Sequence, residues 1–278
     1  MFYPMKKSKF TIDVENKLIK IAPKKWTSGF KPEDFLKGNG METSKLKFLN
    51  LSMPVIRHQL ATLFSTKEKS YSSELFEDMQ KLWFESDIFD AKIIAIGWLE
   101  EQKPEFLIKN HKKILSWATE IDNWAHSDGL CSIYARMFDH SQKLLLPTYL
   151  KWNRHKNSWL RRCSMVGTFY YSRSRLNHPT FTQAKRLVDP HFTAPEYYVQ
   201  KAVGWTIREM YNVYPSETIK YIENNLDQIS SLAWVAATEK LKPSLKQKLL
   251  NKRRLLRLKK ETSRLFQRNI VTEKLSLV

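Results

Sequence analysis

Glycine and cysteine are scarce in this sequence, and long apolar runs are missing. The 278 residues include only 7 glycines, too few for the turns of an all-β sandwich or the loops of a doubly wound α/β protein. Cys131 and Cys163 are too few for a disulfide framework, and we expect them as small buried residues in a reducing cytoplasm. No apolar run approaches the ~18 residues of a membrane span, and the N-terminal residues lack the apolar core of a secretory signal.

The usual signatures of metal and cofactor sites are also missing. The seven histidines are scattered, none has a partner at the i, i+4 spacing of a helical metal site, and no CxxC occurs. Neither GxGxxG nor GxxxxGKS/T is present, which argues against the common dinucleotide and phosphate loops. We therefore expect no metal and no cofactor, and any chemistry must come from carboxylates, bases and aromatic side chains.

Positive charge dominates what the sequence does contain. Lys and Arg number 47 against 28 Asp and Glu, a formal net charge of +19. Such an excess repels itself unless a polyanion neutralises it, so nucleic acid or an anionic membrane is the expected kind of partner. Hydrophobic residues make up 42% of the chain, which is typical of a folded domain with a sizeable core.

Helical periodicity recurs almost from end to end, and no strand alternation of useful length accompanies it. The helical segments are 53–64, 72–84, 89–101, 103–120, 122–138, 158–176, 181–190, 197–211, 215–226 and 230–241. Their spacing resembles antiparallel helix pairs of roughly 35 to 45 residues, the size of HEAT-type repeats. The prediction is an all-α fold, a HEAT-like α-solenoid of antiparallel helix pairs with a concave face.

The two ends differ from the middle of the chain. Residues 1–30 form a basic, weakly patterned segment that leads into a first helix at 31–38, and the repeat domain is expected over 31–241. Residues 242–278 form a helical tail dense in Lys and Arg. This tail is interpreted as a solvated amphipathic cap on the last repeat, as a helix that docks on phosphates, or as a helix on an anionic membrane surface.

Trp124 and Asp128 are the first candidate site residues. In a helical projection of 122–138 the apolar face is formed elsewhere, and these two residues, four apart, share one flank. A tryptophan beside a carboxylate, both outside the apolar face of their helix, is typical of the wall of a cleft. The structural alternative is that Trp124 packs at a repeat junction while Asp128 makes a local salt bridge.

Two arginines in the segment 158–176 are the next candidates. Arg161 projects well away from the apolar stripe, as a phosphate-binding or a merely solvated arginine would. Arg162 lies at the edge of the stripe, where a guanidinium must snorkel or find a partner, and Asp128 is one possible partner. A structural and a functional role are equally compatible with this position.

Trp205 is the third anomaly. The stripe of the helix 197–211 is formed by Val199, Val203, Thr206 and Met210, with Ala202 and Ile207 beside them. Trp205 projects to the far side, between Lys201 and Arg208. Its ring is either covered by their aliphatic stems or offered to a nucleic acid with phosphate contacts at its sides.

Four segments together resemble a known family. "FLNLSMPVIR", "NWAHSD", "SWLRRCSMV" and "YYVQKAVGWTIREM" are similar in order and spacing to the AlkD-type DNA alkylation repair glycosylases, which are built from HEAT-like repeats. The similarity covers roughly residues 30 to 240. Asn50 stands where many relatives have glycine, and Met41 and Ser52 replace polar or aromatic residues found in some of them. The basic tail is outside the shared pattern.

The resemblance implies a function and a role for each candidate. The family excises cationic N3- and N7-alkylated purines from duplex DNA by hydrolysing the N-glycosidic bond, an early step of base excision repair. Its catalytic carboxylate falls on Asp128, its DNA-contacting tryptophans on Trp124 and Trp205, and its cleft arginine on Arg162. Arg161, Lys201 and Arg208 are expected near the phosphates.

Further expectations and two alternatives complete this interpretation. A monomer that acts on nucleoid DNA in the cytoplasm, with no membrane partner, is expected. One alternative is a non-catalytic relative that binds branched or distorted DNA. The other is a HEAT-like scaffold for an acidic protein, which would not prefer DNA over another polyanion.

Overall fold

The helix-favouring sequence folds into fourteen α-helices in the computed structural model, which describes residues 7–23, 36, 44–63 and 73–275, with side chains up to residue 262. These ranges contain no β-strand, only an isolated bridge between Lys47 and Ile88. The predicted all-α class is therefore confirmed. The chain divides into two compact units, Met1–Pro179 and Thr180–Val278.

The helices are distributed over both units. The first unit contains α1 (Lys9–Ile21), α2 (Met53–Leu63), α3 (Ser73–Glu85), α4 (Phe89–Glu100), α5 (Pro104–Lys109), α6 (His111–Ser116), α7 (Trp124–His140), α8 (Gln142–Asn153) and α9 (Ser158–Phe169). The second contains α10 (Phe181–Val188), α11 (Tyr197–Val213), α12 (Pro215–Asn224), α13 (Ser231–Ala237) and α14 (Pro243–Leu275).

Side-chain caps fix where several helices begin. Asn123 and Asn157 accept hydrogen bonds from backbone N–H groups in the first turns of α7 and α9. Thr180 and Gln183 form a reciprocal capping box at α10. These side chains satisfy N–H groups that have no partner inside the helix. The starts of α7 and α9, which carry four of the predicted site residues, are thus encoded locally.

Aromatic side chains fill the core of the first unit. Trp83, Trp98 and Trp117 are at most 1% exposed. The rings of Trp83 and Trp117 stack with centroids 5.3 Å apart, and Trp83 Nε1 donates to the Trp117 carbonyl oxygen at 3.0 Å. Helix α7 packs against α4, α8 and α9 around this core. Helix α7, which carries Trp124 and Asp128, is therefore held by neighbouring helices on several sides.

Helix α11 organises the second unit. It packs against α10, α12 and α13. The apolar stripe predicted for it is buried, and its members are Val199, Ala202, Val203, Thr206, Ile207 and Met210. The sequence periodicity is confirmed for this helix, because each of these side chains is buried.

The structure departs from the predicted helices in several places. Helices α1 and α8 were not predicted, and the helix expected over 158–176 ends at Phe169. The segment expected as one helix over 103–120 is broken at Asn110. Of the first helix expected at 31–38, only Leu36 lies inside the described residues, where it is helical and buried.

Helix α14 contains the start of the basic tail. Pro243 occupies the first helical position, where its missing N–H costs little. Leu249 is fully buried, and Arg253 is 3% exposed, with Nη1 donating to the Leu226 carbonyl oxygen at 2.8 Å. The Arg253 guanidinium also lies 4.7 Å from the Trp234 ring centroid. The tail therefore begins as a packed cap on the second unit.

Candidate functional site

The first turn of α7 positions Trp124 and Asp128. The Asn123 side chain accepts from the His126 N–H at 2.9 Å, so the helix begins with Trp124 as its first residue. Asp128 follows one turn later on the same flank, as the projection predicted. Both side chains are half-buried, whereas His126 and Ser127 between them are fully buried.

An ion pair joins α7 to α9 at this flank. Arg162 Nη2 lies 2.5 Å from Asp128 Oδ1, and Arg162 Nε donates to Ser127 Oγ at 3.1 Å. The Arg162 side chain is 8% exposed and that of Asp128 30%. Asp128 Oδ2 makes no hydrogen bond to any described residue. The partner suggested for Arg162 from the sequence is confirmed, and the pair leaves one oxygen of an accessible carboxylate unoccupied.

The electrostatics of the pair hold Arg162 in its charged form. Burial alone would lower the pKa of the Arg162 guanidinium, but the charge and hydrogen bond of Asp128 raise it above its usual value. A buried arginine that remains charged is a rigid anchor for the carboxylate, because leaving either charge unpaired there would be costly. The geometry therefore fixes one oxygen of Asp128 while the other remains accessible.

Tyr170, the residue that follows the last residue of α9, also belongs to this neighbourhood. It is half-buried. Burial, and after it the negative charge of Asp128, raise the pKa of Tyr170 well above its usual value. Its hydroxyl could have indicated this from the sequence, because the hydroxyl of a buried tyrosine usually needs a hydrogen-bond partner.

The two cysteines are buried near the Asp128–Arg162 ion pair. Both are free and fully buried, as predicted. Ser127 Oγ lies 3.6 Å from Cys163 Sγ and accepts from Arg162 at its other side. Ser127 therefore connects the guanidinium to the buried Cys163 thiol.

Arg161 makes a contact that the sequence did not predict. Its Nη1 donates to the carbonyl oxygens of His155 and Lys156, at 2.7 and 2.9 Å. These two residues connect α8 to α9, so the guanidinium holds the loop between them. The projection placed Arg161 away from the core correctly, but its partner is the backbone of its own connection.

The second unit holds the other three candidates. The Arg208 guanidinium lies over the Trp205 ring, 4.9 Å from its centroid. Arg208 also pairs with Glu209 at 2.9 Å and with Glu239 at 3.0 Å, and its side chain is only 17% exposed. One face of Trp205 is therefore covered by an arginine whose charge is already balanced. Lys201, one turn earlier, is half-buried and forms no ion pair with the described residues.

The described part of the chain contains neither a metal-binding cluster nor a membrane-spanning helix. No cluster of three or more His, Cys, Asp or Glu side chains there could hold a metal ion. No helix there is both long enough and apolar enough to cross a membrane.

The fold and the site together define a class: an all-α protein whose helices carry a fixed carboxylate–arginine pair with a half-buried tryptophan one turn before the carboxylate. The model of the DNA alkylation repair enzyme family matches residues 30–241. The chain therefore belongs to that family, and the resemblance found in the sequence is confirmed. No curated protein sequence matches the chain.

Two solved structures share the fold. One is a predicted DNA alkylation repair enzyme from Enterococcus faecalis, with 12% identity and a TM-score of 0.58, covering 87% of this chain and 100% of its own. The other is AlkD2 from Streptococcus mutans, with 15% identity and a TM-score of 0.53, covering 83% of this chain and 98% of its own. At these identities the likeness shows the fold alone.

Proposed function

We propose that this protein is a DNA glycosylase that hydrolyses the N-glycosidic bond of cationic N3- and N7-alkylated purines in duplex DNA. The observation that carries the proposal is the Asp128 carboxylate. Its Oδ1 is held by the buried Arg162, and its Oδ2 is unoccupied by any described residue on a side chain that is 30% exposed. Membership of the DNA alkylation repair enzyme family supports DNA as the partner.

The chemistry needs little more than such a carboxylate. Alkylation leaves the purine cationic, so the glycosidic electron pair passes to the base, which departs neutral without a strong general acid. Positive charge then develops on the sugar as an oxocarbenium-like cation. A fixed carboxylate stabilises that cation and orients the water that adds at C1′, whose proton passes to Asp128 or to solvent. No cofactor is required for this reaction.

Arg162 contributes by positioning the carboxylate. Its contacts with Asp128 and Ser127 fix the orientation of the carboxylate before substrate arrives. A preorganised charge needs little rearrangement at the moment of reaction, which is the main advantage of electrostatic stabilisation. Arg162 is therefore a positioning residue in this proposal.

The DNA-contacting roles are distributed unevenly among the remaining candidates. Trp124, Trp205 and Lys201 have half-buried side chains that a duplex could reach. Arg161 and Arg208 are engaged with carbonyl oxygens and glutamates, so we assign them weaker contributions to phosphate binding. A monomer that acts on nucleoid DNA in the cytoplasm completes the proposal.

Base release from randomly methylated duplex DNA tests the proposal. We expect Asp128→Asn to lower release of 7-methylguanine and 3-methyladenine by roughly 100-fold or more, the usual effect of removing one electrostatic contact of this kind. The asparagine oxygen can still accept from Arg162, so the fold and duplex binding should change little. Glu120→Gln, an exposed carboxylate shortly before α7, is the matched control and should release bases normally.

Two results would contradict the proposal in different ways. Normal release by Asp128→Asn would remove Asp128 from the mechanism. If the wild-type protein releases no base but binds branched or distorted duplexes tightly, the non-catalytic alternative is correct.

A further inference from the structure

The turn that follows α9 carries an exposed aromatic residue in a strained backbone conformation. The periodicity of the sequence continues to Leu176, but the helix ends at Phe169 and Tyr171 adopts φ 50° and ψ 57°. This left-handed region favours glycine, and a bulky residue there is an outlier that costs free energy. Local preference therefore does not explain why a tyrosine occupies this position.

Polar contacts from outside the turn hold its shape. The Asp139 carboxylate accepts the N–H groups of Leu176 and Asn177, at 3.4 and 2.6 Å. Arg175 Nε donates to the Tyr170 carbonyl oxygen at 3.2 Å, and Arg175 Nη2 reaches that of Ser132 at 3.4 Å. None of these four hydrogen bonds uses the Tyr171 side chain, whose contact within the turn is with the ring of Tyr170.

The turn lies beside the proposed catalytic carboxylate. Ser132 and Asp139, which hold the turn, are both on α7. Asp128 is about one helical turn before Ser132, roughly 6 Å along the axis, whereas Asp139, which holds Leu176, is roughly 16 Å along the axis from Asp128. After burial, the negative charge of Asp128 is the next largest cause of the raised pKa of Tyr170. The Tyr170 and Tyr171 rings meet edge to face, with centroids 4.6 Å apart. Tyr171 is thus one residue beyond a side chain that already belongs to the site.

The turn exposes both apolar and basic side chains. Tyr171 is 62% exposed, and Leu176 is 90% exposed, the highest value among the exposed large apolar residues of the described part. Arg173 is exposed on the same turn. Exposed aromatic and basic side chains in one place are the usual composition of a nucleic-acid-binding surface, where rings contact bases or sugars and cations contact phosphates.

We propose that Tyr171, Arg173 and Leu176 form a second DNA-contacting surface that begins near Asp128 and extends along α7 towards Asp139, on which the Tyr171 ring packs against a base or deoxyribose of the bound duplex. A duplex is the partner that fits best, because the chain carries a net charge of +19 and a polyanion balances it. The inference extends the proposed function, since it places further substrate contacts beside the proposed reaction centre.

Replacing Tyr171 by glycine separates a binding role from a structural one. Glycine adopts the left-handed conformation without strain, so Tyr171→Gly should melt at the same temperature as the wild type or higher. Loss of a ring that packs on a base should weaken duplex binding by roughly tenfold. Tyr171→Phe keeps the ring and should bind within about twofold of the wild type, by the same stacking argument.

Two controls make the measurement specific. Heparin carries negative charge without bases, so Tyr171→Gly should bind it as tightly as the wild type does. Val235→Ala removes an exposed apolar side chain of α13, 65% exposed, and should leave duplex binding unchanged. Binding is measured by fluorescence anisotropy on the full chain with a labelled duplex.

The outcomes distinguish this inference from the proposed activity. Equal duplex binding by Tyr171→Gly and the wild type would overturn the inference, even if base release is normal. A lower melting temperature of Tyr171→Gly, or an equal loss of heparin and duplex binding, would also overturn it. A wild-type protein that releases no base would refute the glycosylase proposal. The role of Tyr171 in duplex binding would still be decided, because its test measures binding and not base release.

Discussion

His126 is held neutral in the core directly beside the proposed site. It is fully buried, stacks on Phe89 with centroids 4.5 Å apart, and is bonded through both ring nitrogens, to Asn123 and to the Phe89 carbonyl oxygen. Burial, and then the positive charge of Lys92, lower the pKa of His126 to about 3. The imidazole takes up a proton more readily in the unfolded chain than in the folded one.

This difference predicts a pH dependence of stability. Because the folded pKa lies below the unfolded value of about 6.5, the contribution of His126 is complete above pH ~6.5 and is lost as the pH falls towards the folded pKa. The free energy of unfolding should fall by about 1 kcal/mol per pH unit below ~6.5 through this group. His126→Gln should show a smaller slope in urea unfolding between pH ~7 and ~5, with the exposed His140→Gln as control. Equal slopes in wild type and His126→Gln would contradict this account.

Single residues of the site were predictable where a helical projection was sufficient. The projection placed Asp128 and Trp205 away from the apolar faces of their helices, and Arg162 at the edge of one, without any knowledge of neighbours. It did not reveal that Arg208 is paired with Glu239, because that partner lies on another element. Which helices meet is a property of the packed core, and a single sequence does not display it.

Asn50 adopts a backbone conformation that favours glycine. Its φ is 56°, in the left-handed region. Asparagine tolerates that region better than most residues. The neighbouring N–H groups of Leu49 and Leu51 both donate to the buried Asp90 carboxylate, at 2.7 and 3.1 Å. The loop therefore keeps the conformation that glycine would allow.

At the scale of elements, α11 and α13 approach each other closely at Gly204. A Cβ atom added to Gly204 would lie 2.2 Å from the Ala233 carbonyl oxygen and 2.8 Å from its Cα. Backbone atoms cannot yield as a flexible side chain can. The glycine in the "QKAVGW" segment is therefore required by packing, directly beside Trp205.

Gly204→Ala should be destabilising for this reason. In an ordinary helix the change stabilises by up to ~1 kcal/mol, but forced separation of two helices costs about 1–3 kcal/mol. We expect a net loss of about 1–2 kcal/mol in urea unfolding followed by circular dichroism. Gly97→Ala is the matched control, because its Cβ would meet only Leu60 Cδ2, at 3.1 Å. A Gly204→Ala protein as stable as the wild type would refute the packing argument.

The helices that sequence reasoning missed have identifiable causes. Helix α8 contains Pro147, which normally interrupts a helix. Helix α1 has a short stripe, with Val14 and Leu18 buried, inside a basic segment that seemed weakly patterned. The segment beyond the end of α9 is held by Asp139, which lies 38 residues before Asn177. Local pattern predicts that helices exist, whereas where they end depends on contacts distant in sequence.

At the scale of the whole molecule, the net charge of +19 should determine the affinity for duplex DNA and its dependence on salt. Part of this charge is already balanced by ion pairs. On α14, Lys252 pairs with Glu223 and Lys260 pairs with Asp227. On the same helix Lys248, Arg254 and Lys259 are exposed and form no ion pair with the described residues. Helix α14 lies beyond the family match, which ends at residue 241.

Removing these three exposed charges tests whether α14 contributes to duplex affinity. Each Lys or Arg on a phosphate steepens the dependence of log affinity on log salt by about 0.9. A triple variant with glutamine at positions 248, 254 and 259 should reduce that slope by up to about 2.7. Truncation after Lys242 would be a poorer test, since it also removes the buried Leu249 and Arg253 from the second unit.

A second triple variant controls for overall charge. Glutamine at Lys113, Lys252 and Lys260 removes the same formal charge from residues that are already paired with Glu77, Glu223 and Asp227. Paired ammonium groups bind fewer counterions and phosphates, so we expect a smaller change in slope from this variant, measured by anisotropy titrations at several salt concentrations. Equal slopes for the two variants would show that total charge, and not the exposed face of α14, sets the affinity. A difference between them would assign α14 a phosphate-binding face in addition to its packed one.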